Sequence, residues 1–223
     1  MQQSKIDGSS RLNAFQSVFK SIDSTAQLPS QVFGEGWAQF FFWESDKMFV
    51  PSFAEVAVEL LHIEGSHSCC LLNFDLTREM QYESAAMLFL EGGTTGEEYA
   101  SWLRKGDPSS AWLYDMHRYG CASDVGDWCI YCEKMNDLAV IAFRGHQGIQ
   151  KFTGPLKSLR AHSIDEFLGM GPSAPLPFRQ LVETWRIGLS QNYSSGPAGS
   201  EAGSPVMDPH KSECPIHPRS YRG

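Results

Sequence analysis

The sequence predicts a single α+β domain in which a small, mostly antiparallel sheet is flanked by amphipathic helices. Residues 127–144 have the pattern of a β-hairpin, and apolar residues recur at helical spacing in several other segments. The composition, 42% hydrophobic and 20% charged, is that of an ordinary globular chain. We expect the domain to span residues 1–190, with a disordered tail over residues 191–223.

The hairpin is the clearest β signal and is expected to be central in the sheet. Residues 127–133 are rich in aromatic and β-branched side chains, which fit a pleated surface. Residues 134–137 are typical of a turn. Residues 138–143 are apolar at every position, a pattern that predicts a strand covered on both faces.

Helices are predicted where apolar spacing coincides with a capping signal. An apolar stripe predicts a helix over 11–23, and the capping box of Ser52 with Glu55 predicts another over 53–63, ending at Gly65. The aromatic run 37–43 is expected in the core as helix or strand, and residues 67–74 as a buried strand. Further helices are predicted at 84–91, after the Thr95 and Glu98 cap, at 107–120 (opened by Asp107 and Pro108, closed by Gly120), after the Ser163 and Glu166 cap, and at 178–189.

The C-terminal segment has a different composition from the rest of the chain. Fifteen of its 33 residues are Ser, Gly or Pro, so it cannot bury enough apolar surface to offset its chain entropy. His210, Cys214 and His217 within it are possible metal ligands. Because they number only three and lie beside prolines, they are interpreted as incidental, and no metal site is assigned.

Charge is distributed unevenly along the chain. The 18 basic and 26 acidic residues give a formal net charge of −8, and residues 35–137 alone carry eighteen acidic and six basic groups. Such an excess repels phosphate backbones, so nucleic-acid binding is not expected. It would accelerate encounter with a basic protein. The alternative is that the block is simply a solvated surface.

No motif in the sequence defines a reaction. Cys129 and Cys132 lie three apart in a predicted strand and therefore point to opposite faces, as do the adjacent Cys69 and Cys70. His117 and Cys121 are four apart, but Gly120 is expected to end their helix between them. His146 is interpreted as a turn residue. No catalytic, cofactor-binding or metal-binding residue is assigned.

The expected compartment is the cytoplasm. The first residues contain no apolar segment of the kind that a secretory signal needs, and the six cysteines are irregularly spaced, which favours reduced thiols. No run of about 20 apolar residues is available to cross a bilayer, so no membrane association is expected.

The two segments 128–131 and 138–141 resemble the hairpins of small bacterial immunity-type proteins, which neutralise a cognate toxin. The resemblance implies stoichiometric inhibition of a basic, often nucleic-acid-degrading toxin by an acidic surface. The acidic residues that flank the hairpin are the corresponding contact candidates: Asp124, Asp127, Glu133 and Asp137.

Two other function classes remain open from the sequence. One is an enzyme whose site is assembled from distant residues, for which Cys121, His117 and His146 are the first to consider. The other is a structural subunit of a larger assembly, which an exposed apolar patch would indicate. We favour the non-catalytic binding protein because the chain combines an acidic block with no recognisable catalytic set.

Overall fold

A six-stranded antiparallel sheet forms the centre of the protein in a computed structural model that describes residues 8–76, 87–105, 112–145 and 148–194. The strands lie in the order β1-β6-β5-β4-β2-β3 across the sheet. In chain order they are β1 (Trp37–Glu44), β2 (Ser68–Asn73), β3 (Met87–Glu91), β4 (Arg118–Ser123), β5 (Trp128–Glu133) and β6 (Leu138–Arg144). The predicted α+β class with a mostly antiparallel sheet is confirmed.

Helices cover both faces of the sheet. One face packs against α2 (Ser52–Glu64), α3 (Gly96–Leu103) and α4 (Thr153–Leu159). The other packs against α1 (Gly8–Ser21), α5 (Ile164–Gly169) and α6 (Glu183–Tyr193). Within the part of the chain that the structure describes, no helix combines the length and apolarity needed to cross a membrane.

The predicted hairpin is present and lies inside the sheet. β5 and β6 pair from Trp128 opposite Phe143 to Glu133 opposite Leu138, and a short 3₁₀ helix, Lys134–Asn136, joins them. Every residue of β5, and β6 up to Phe143, is buried. The apolar run therefore marks a strand covered on both faces, as predicted.

Two predicted helices are wrong over their described residues, because the chain forms strands there. Residues 84–86 and 107–111 of these predictions lie outside the described part of the chain. Residues 87–91 of the predicted helix 84–91 form β3, and residues 118–120 of the predicted helix 107–120 belong to β4. Gly120 does not terminate a helix but lies inside β4. A Cβ atom at this position would lie 2.7 Å from both Phe74 Cζ and Val18 Cγ1. Glycine is required there because the strand is in close contact with side chains above it.

Of the three predicted capping boxes, two form and one does not. Thr95 and Ser163 each accept a hydrogen bond from the backbone N–H of the Glu three residues later, and that Glu accepts the reciprocal bond, so both boxes are confirmed. The box at Ser52 does not form, because Pro51 occupies the cap position and Ser52 is already helical. The helix nevertheless forms over Ser52–Glu64 and ends at Gly65, whose φ is +80°.

The folded part of the chain continues beyond residue 190. The predicted helix 178–189 is instead a 3₁₀ turn, Phe178–Gln180, followed by α6, which ends at Tyr193. Tyr193 is buried, and its hydroxyl donates to the Ser30 carbonyl oxygen at 2.6 Å. This tertiary anchor carries the helix to Tyr193, past the predicted domain boundary. The rest of the predicted tail, with His210, Cys214 and His217, lies outside the described residues.

Candidate functional site

The four predicted contact residues lie at opposite ends of β5. Asp124 and Asp127 belong to the turn between β4 and β5, which we name the turn end. Glu133 and Asp137 belong to the connection between β5 and β6, which we name the hairpin end. A six-residue strand is about 20 Å long, so the four carboxylates do not form one surface.

The acidic excess of residues 35–137 is also divided in space. Besides the two ends of β5, it supplies exposed glutamates on helices of one face of the sheet. These are Glu55 and Glu59 on α2 and Glu97 and Glu98 on α3. The described acidic groups of residues 35–137 therefore do not form one continuous face, and the contacts of each surface differ.

Glu133 is not available to a partner. Its side chain is buried, and the residue is only 2% exposed. The carboxylate accepts hydrogen bonds from the Leu28 backbone N–H at 2.7 Å, the Tyr131 hydroxyl at 2.7 Å and the Asn136 amide at 2.6 Å. The prediction of a contact role is wrong for Glu133, because a buried carboxylate with three donors serves the fold.

Asp137, by contrast, is exposed at the tip of the hairpin end. It adopts the left-handed conformation, with φ +54°, which Asp tolerates better than most residues. Its carbonyl oxygen accepts the Ser45 N–H at 3.0 Å, which brings the hairpin beside the 3₁₀ helix Ser45–Phe49. Asp46 of that helix is also exposed, so two carboxylates point outward from adjacent turns.

The basic residues of the hairpin end are engaged internally. Lys134 is buried, and its ammonium group donates to the Leu113 carbonyl oxygen at 2.7 Å and lies 4.5 Å from the centre of the Phe49 ring. Burial lowers the pKa of Lys134, although nearby acidic groups oppose the shift. Lys47 donates to the Leu159 carbonyl oxygen at 2.6 Å. The ammonium groups of both lysines therefore bond to the protein itself, although each keeps its positive charge.

Arg118 is likewise bonded within the protein, to the carboxylate of Asp75. Its guanidinium donates to Asp75 Oδ1 at 2.5 Å through Nη2, and its backbone N–H donates to Asp75 Oδ2 at 2.9 Å. Burial alone would raise the pKa of Asp75, but the hydrogen bonds and charge of Arg118 outweigh it and hold that pKa below its usual value. The pair is electrically neutral as seen from outside.

Three large apolar side chains are exposed in this same region. Met135, in the connection between β5 and β6, is 70% exposed, Tyr114 is 64% exposed and Met116 is 48% exposed. Their backbones are adjacent, because the Lys134 N–H donates to the His117 carbonyl oxygen at 3.3 Å while its ammonium group reaches Leu113. The hairpin end therefore presents two methionines and a tyrosine next to exposed carboxylates.

At the turn end, by contrast, the carboxylates of Asp124 and Glu64 are bonded internally. Asp124 accepts the Ser10 hydroxyl at 2.6 Å and the His67 backbone N–H at 3.0 Å. Glu64 accepts the Asp127 backbone N–H at 2.8 Å, and burial raises the pKa of Glu64 despite this and other hydrogen bonds. Of the two predicted contact residues at this end, only Asp127 is exposed.

A cleft of about 320 Å³ opens between α1 and the turn. It is lined on one side by residues of α1, including Lys20, and on the other by Asp124, Asp127 and Arg144. A smaller cleft of about 70 Å³ adjoins it and shares Asp127 and Arg144. Sequence reasoning missed this site, because Lys20 and Arg144 are 124 positions apart and belong to no motif.

The residues considered for catalysis do not assemble. Cys121 is fully buried in β4, and its pKa is raised well above the usual value, first by a hydrogen bond with Cys69 and then by burial. His117 precedes the same strand, and residues four apart in extended chain are separated by about 13 Å. His146 lies outside the described residues.

Cys129 and Cys132 lie on opposite faces of the sheet, as predicted, and so do Cys69 and Cys70. All four are buried, and all are free thiols. Among the residues with described coordinates, no group of three His, Cys, Asp or Glu is placed to hold a metal ion.

The fold and these two ends define an α+β protein with a six-stranded antiparallel sheet covered on both faces. Comparison with known proteins finds no match: no family model, no curated protein and no solved structure is similar to this chain.

Proposed function

We propose that this protein is a non-catalytic binding protein that captures a basic protein partner through its hairpin end. The observation that carries the proposal is the exposure of Met135, Met116 and Tyr114 beside the outward carboxylates of Asp46 and Asp137. Exposed apolar side chains with a polar rim are typical of protein-binding surfaces. The sign of that rim selects a positively charged partner.

The two kinds of side chain would have different roles in the complex. The methionines are flexible and polarizable, so they can adapt to a partner surface and lose water contact on binding. The tyrosine offers a large amphipathic ring of the type enriched at binding hot spots. The carboxylates would mainly steer encounter and set the on-rate, because rim charges are screened and weak at equilibrium.

The resemblance of the hairpin to immunity-type proteins favours a toxin as that partner. In this proposal the protein occupies a basic toxin in a one-to-one complex and blocks it sterically. No reaction on the toxin is needed. The product of the reading frame adjacent to the gene is the first candidate, because toxins and their inhibitors are encoded together.

The test compares two doubly substituted full-length proteins as affinity baits. One carries Met116→Lys and Met135→Lys. The matched control carries Val182→Lys and Ile187→Lys, which add the same charge at apolar residues that are 63% and 47% exposed elsewhere. We expect a basic protein to be enriched by the wild type and the control and to be lost with the hairpin-end variant.

The purified partner is then measured directly. Its association rate should fall as ionic strength rises, because the Debye length shortens from about 30 Å at 0.01 M salt to about 10 Å at 0.1 M. Equal enrichment by both variants, recovery of no partner, or an on-rate that ignores salt would each contradict the proposal.

A further inference from the structure

The second site lies at the turn end, and its chemistry differs from that of the proposed protein-binding surface. The 320 Å³ cleft there is lined mainly by polar groups, which include the amide of Asn13, the hydroxyl of Ser17 and the ammonium of Lys20 from α1, Asp124 and Asp127 from the turn, and Arg144 from β6. These groups offer hydroxyl, amide, ammonium and guanidinium donors to one small volume. A ligand that accepts many hydrogen bonds fits such a lining.

Arg144 is held rigidly at the edge of this cleft. Its Nε donates to the Gly126 carbonyl oxygen at 2.9 Å, and its guanidinium carbon lies 4.3 Å from the centre of the Trp37 ring. Its backbone N–H donates to the Asp127 carbonyl oxygen at 3.0 Å. These contacts fix the plane of the guanidinium before any ligand arrives, which reduces the entropy lost on binding.

Arg144 forms no ion pair with any residue that the structure describes. None of the salt bridges found among the described residues involves Arg144 or Lys20. Asp124 accepts bonds from Ser10 and His67 but keeps its negative charge, so the lining holds two carboxylates, of which that of Asp127 points outward. The two cations balance the two carboxylates, so the lining is formally neutral although the whole chain carries −8.

We propose that this cleft binds the oxyanion group of a small ligand, a carboxylate or a phosphate, through Arg144 with support from Lys20. The fork of an arginine matches the two oxygens of such a group in a bidentate pair. Because Asp127 stands on the same rim, it weakens anion binding and favours ligands with few negative charges.

The test is a titration of the full-length protein with inorganic phosphate, followed by acetate in a separate arm. The readouts are the side-chain Nε–H signal of Arg144 and the backbone amide signals of Gly126 and Asp127 in NMR spectra. We expect these signals to shift and saturate. Saturation with phosphate alone identifies a phosphate ligand, and saturation with acetate identifies a carboxylate ligand.

Three variants test the proposal, because they are expected to weaken anion binding, to strengthen it and to leave it unchanged. Arg144→Lys keeps the charge but loses the fork and the Nε bond, and should weaken binding by about tenfold, equivalent to about 1.4 kcal/mol. Asp127→Asn should strengthen it, and its backbone bond to Glu64 is retained. Lys157→Ala removes an exposed charge on α4, away from the cleft, and should leave binding unchanged.

The proposal is overturned if the Arg144 signal fails to saturate with either anion. It is also overturned if Asp127→Asn weakens binding or if Lys157→Ala has the same effect as Arg144→Lys. The Arg144 signal in the wild type and the Asp127→Asn variant decide the matter even if Arg144→Lys does not fold. Anion binding at the turn end neither supports nor contradicts the protein-binding role of the hairpin end, which the affinity-bait experiment tests separately.

Discussion

The hairpin end and the turn end of β5 differ in which charged side chains are bonded internally and which are exposed. At the hairpin end the cations Lys134 and Arg118 are bonded internally, and the exposed charges are carboxylates. At the turn end the carboxylates of Asp124 and Glu64 are bonded internally, and the guanidinium of Arg144 lies at the surface with no ion pair to any described residue. The two surfaces therefore differ in which charged groups point outward, although the internally bonded groups keep their charges.

This contrast shows that the net charge of −8 does not describe any one surface of the protein. A basic protein is expected at the hairpin end, where exposed methionines accompany the carboxylates. A small anion is expected at the turn end, where hydroxyl groups accompany the arginine. The following predictions test this difference, beginning with the largest effect.

The largest expected effect comes from removing an internal carboxylate at each end. Glu133→Gln should cost about 2–4 kcal/mol of unfolding free energy, because one amide oxygen cannot replace a buried carboxylate that accepts from three donors. Asp124→Asn should cost about 1–2 kcal/mol, since its environment is partly exposed. Denaturant unfolding of both variants measures the difference, and equal costs would contradict the distinction drawn between the two sites.

The next effect concerns the association rate with the proposed basic partner. The double change Asp46→Asn and Asp137→Asn should slow association several-fold at low salt, because it removes both outward carboxylates of the hairpin end. Asparagine also tolerates the left-handed backbone at residue 137. Asp127→Asn is the matched control at the turn end, and a comparable slowing by this variant would show that steering is not local to the hairpin end.

The smallest effect is a pH dependence of the unfolding free energy, to which one group at each end contributes with opposite sign. The folded pKa of Glu64 is raised above its ordinary value of 4.5, mainly by burial, so the folded state holds that proton more tightly. Its contribution to stability is present below 4.5 and is lost as pH rises through the folded pKa. The wild type should therefore gain stability relative to Glu64→Gln on acidification.

Asp75 should behave in the reverse manner. Its folded pKa lies below its ordinary value of 3.8, because the bonds and charge of Arg118 outweigh burial. Its contribution is present above 3.8 and is lost as pH falls through the folded pKa. On acidification, the unfolding free energy of the wild type should therefore fall relative to that of Asp75→Asn. Both changes should stay below about 1 kcal/mol since the groups are partly exposed, and pH-dependent urea unfolding would reveal slopes of the same sign if this account is wrong.

Local patterns in the sequence predicted much of the fold. The alternating and apolar runs of residues 127–144 predicted the hairpin, because residue type and turn chemistry within one short segment determine it. The boxes at Thr95 and Ser163 formed as predicted, since each involves residues only three apart. Gly65 ended its helix for the same local reason.

Long-range contacts decided the features that the sequence did not reveal. Gly120 resembled a helix terminator, but it lies in a strand where Phe74 and Val18 leave no room for a Cβ atom. Tyr193 extended the last helix through a bond to a segment more than 160 residues away. The same holds for the functional candidates. Glu133, which the sequence analysis proposed as a contact, is buried, whereas Met135 and Arg144, which it did not propose, are exposed at the two ends.

The sequence by itself determined the α+β class, the buried hairpin, the opposed cysteines and the overall acidic charge, because periodicity and composition act within a few residues or over the whole chain. Only the tertiary structure decided which charges reach the surface. A carboxylate or an ammonium group becomes internal when donors or acceptors from distant segments meet it, and that meeting depends on strand order, which local sequence does not encode.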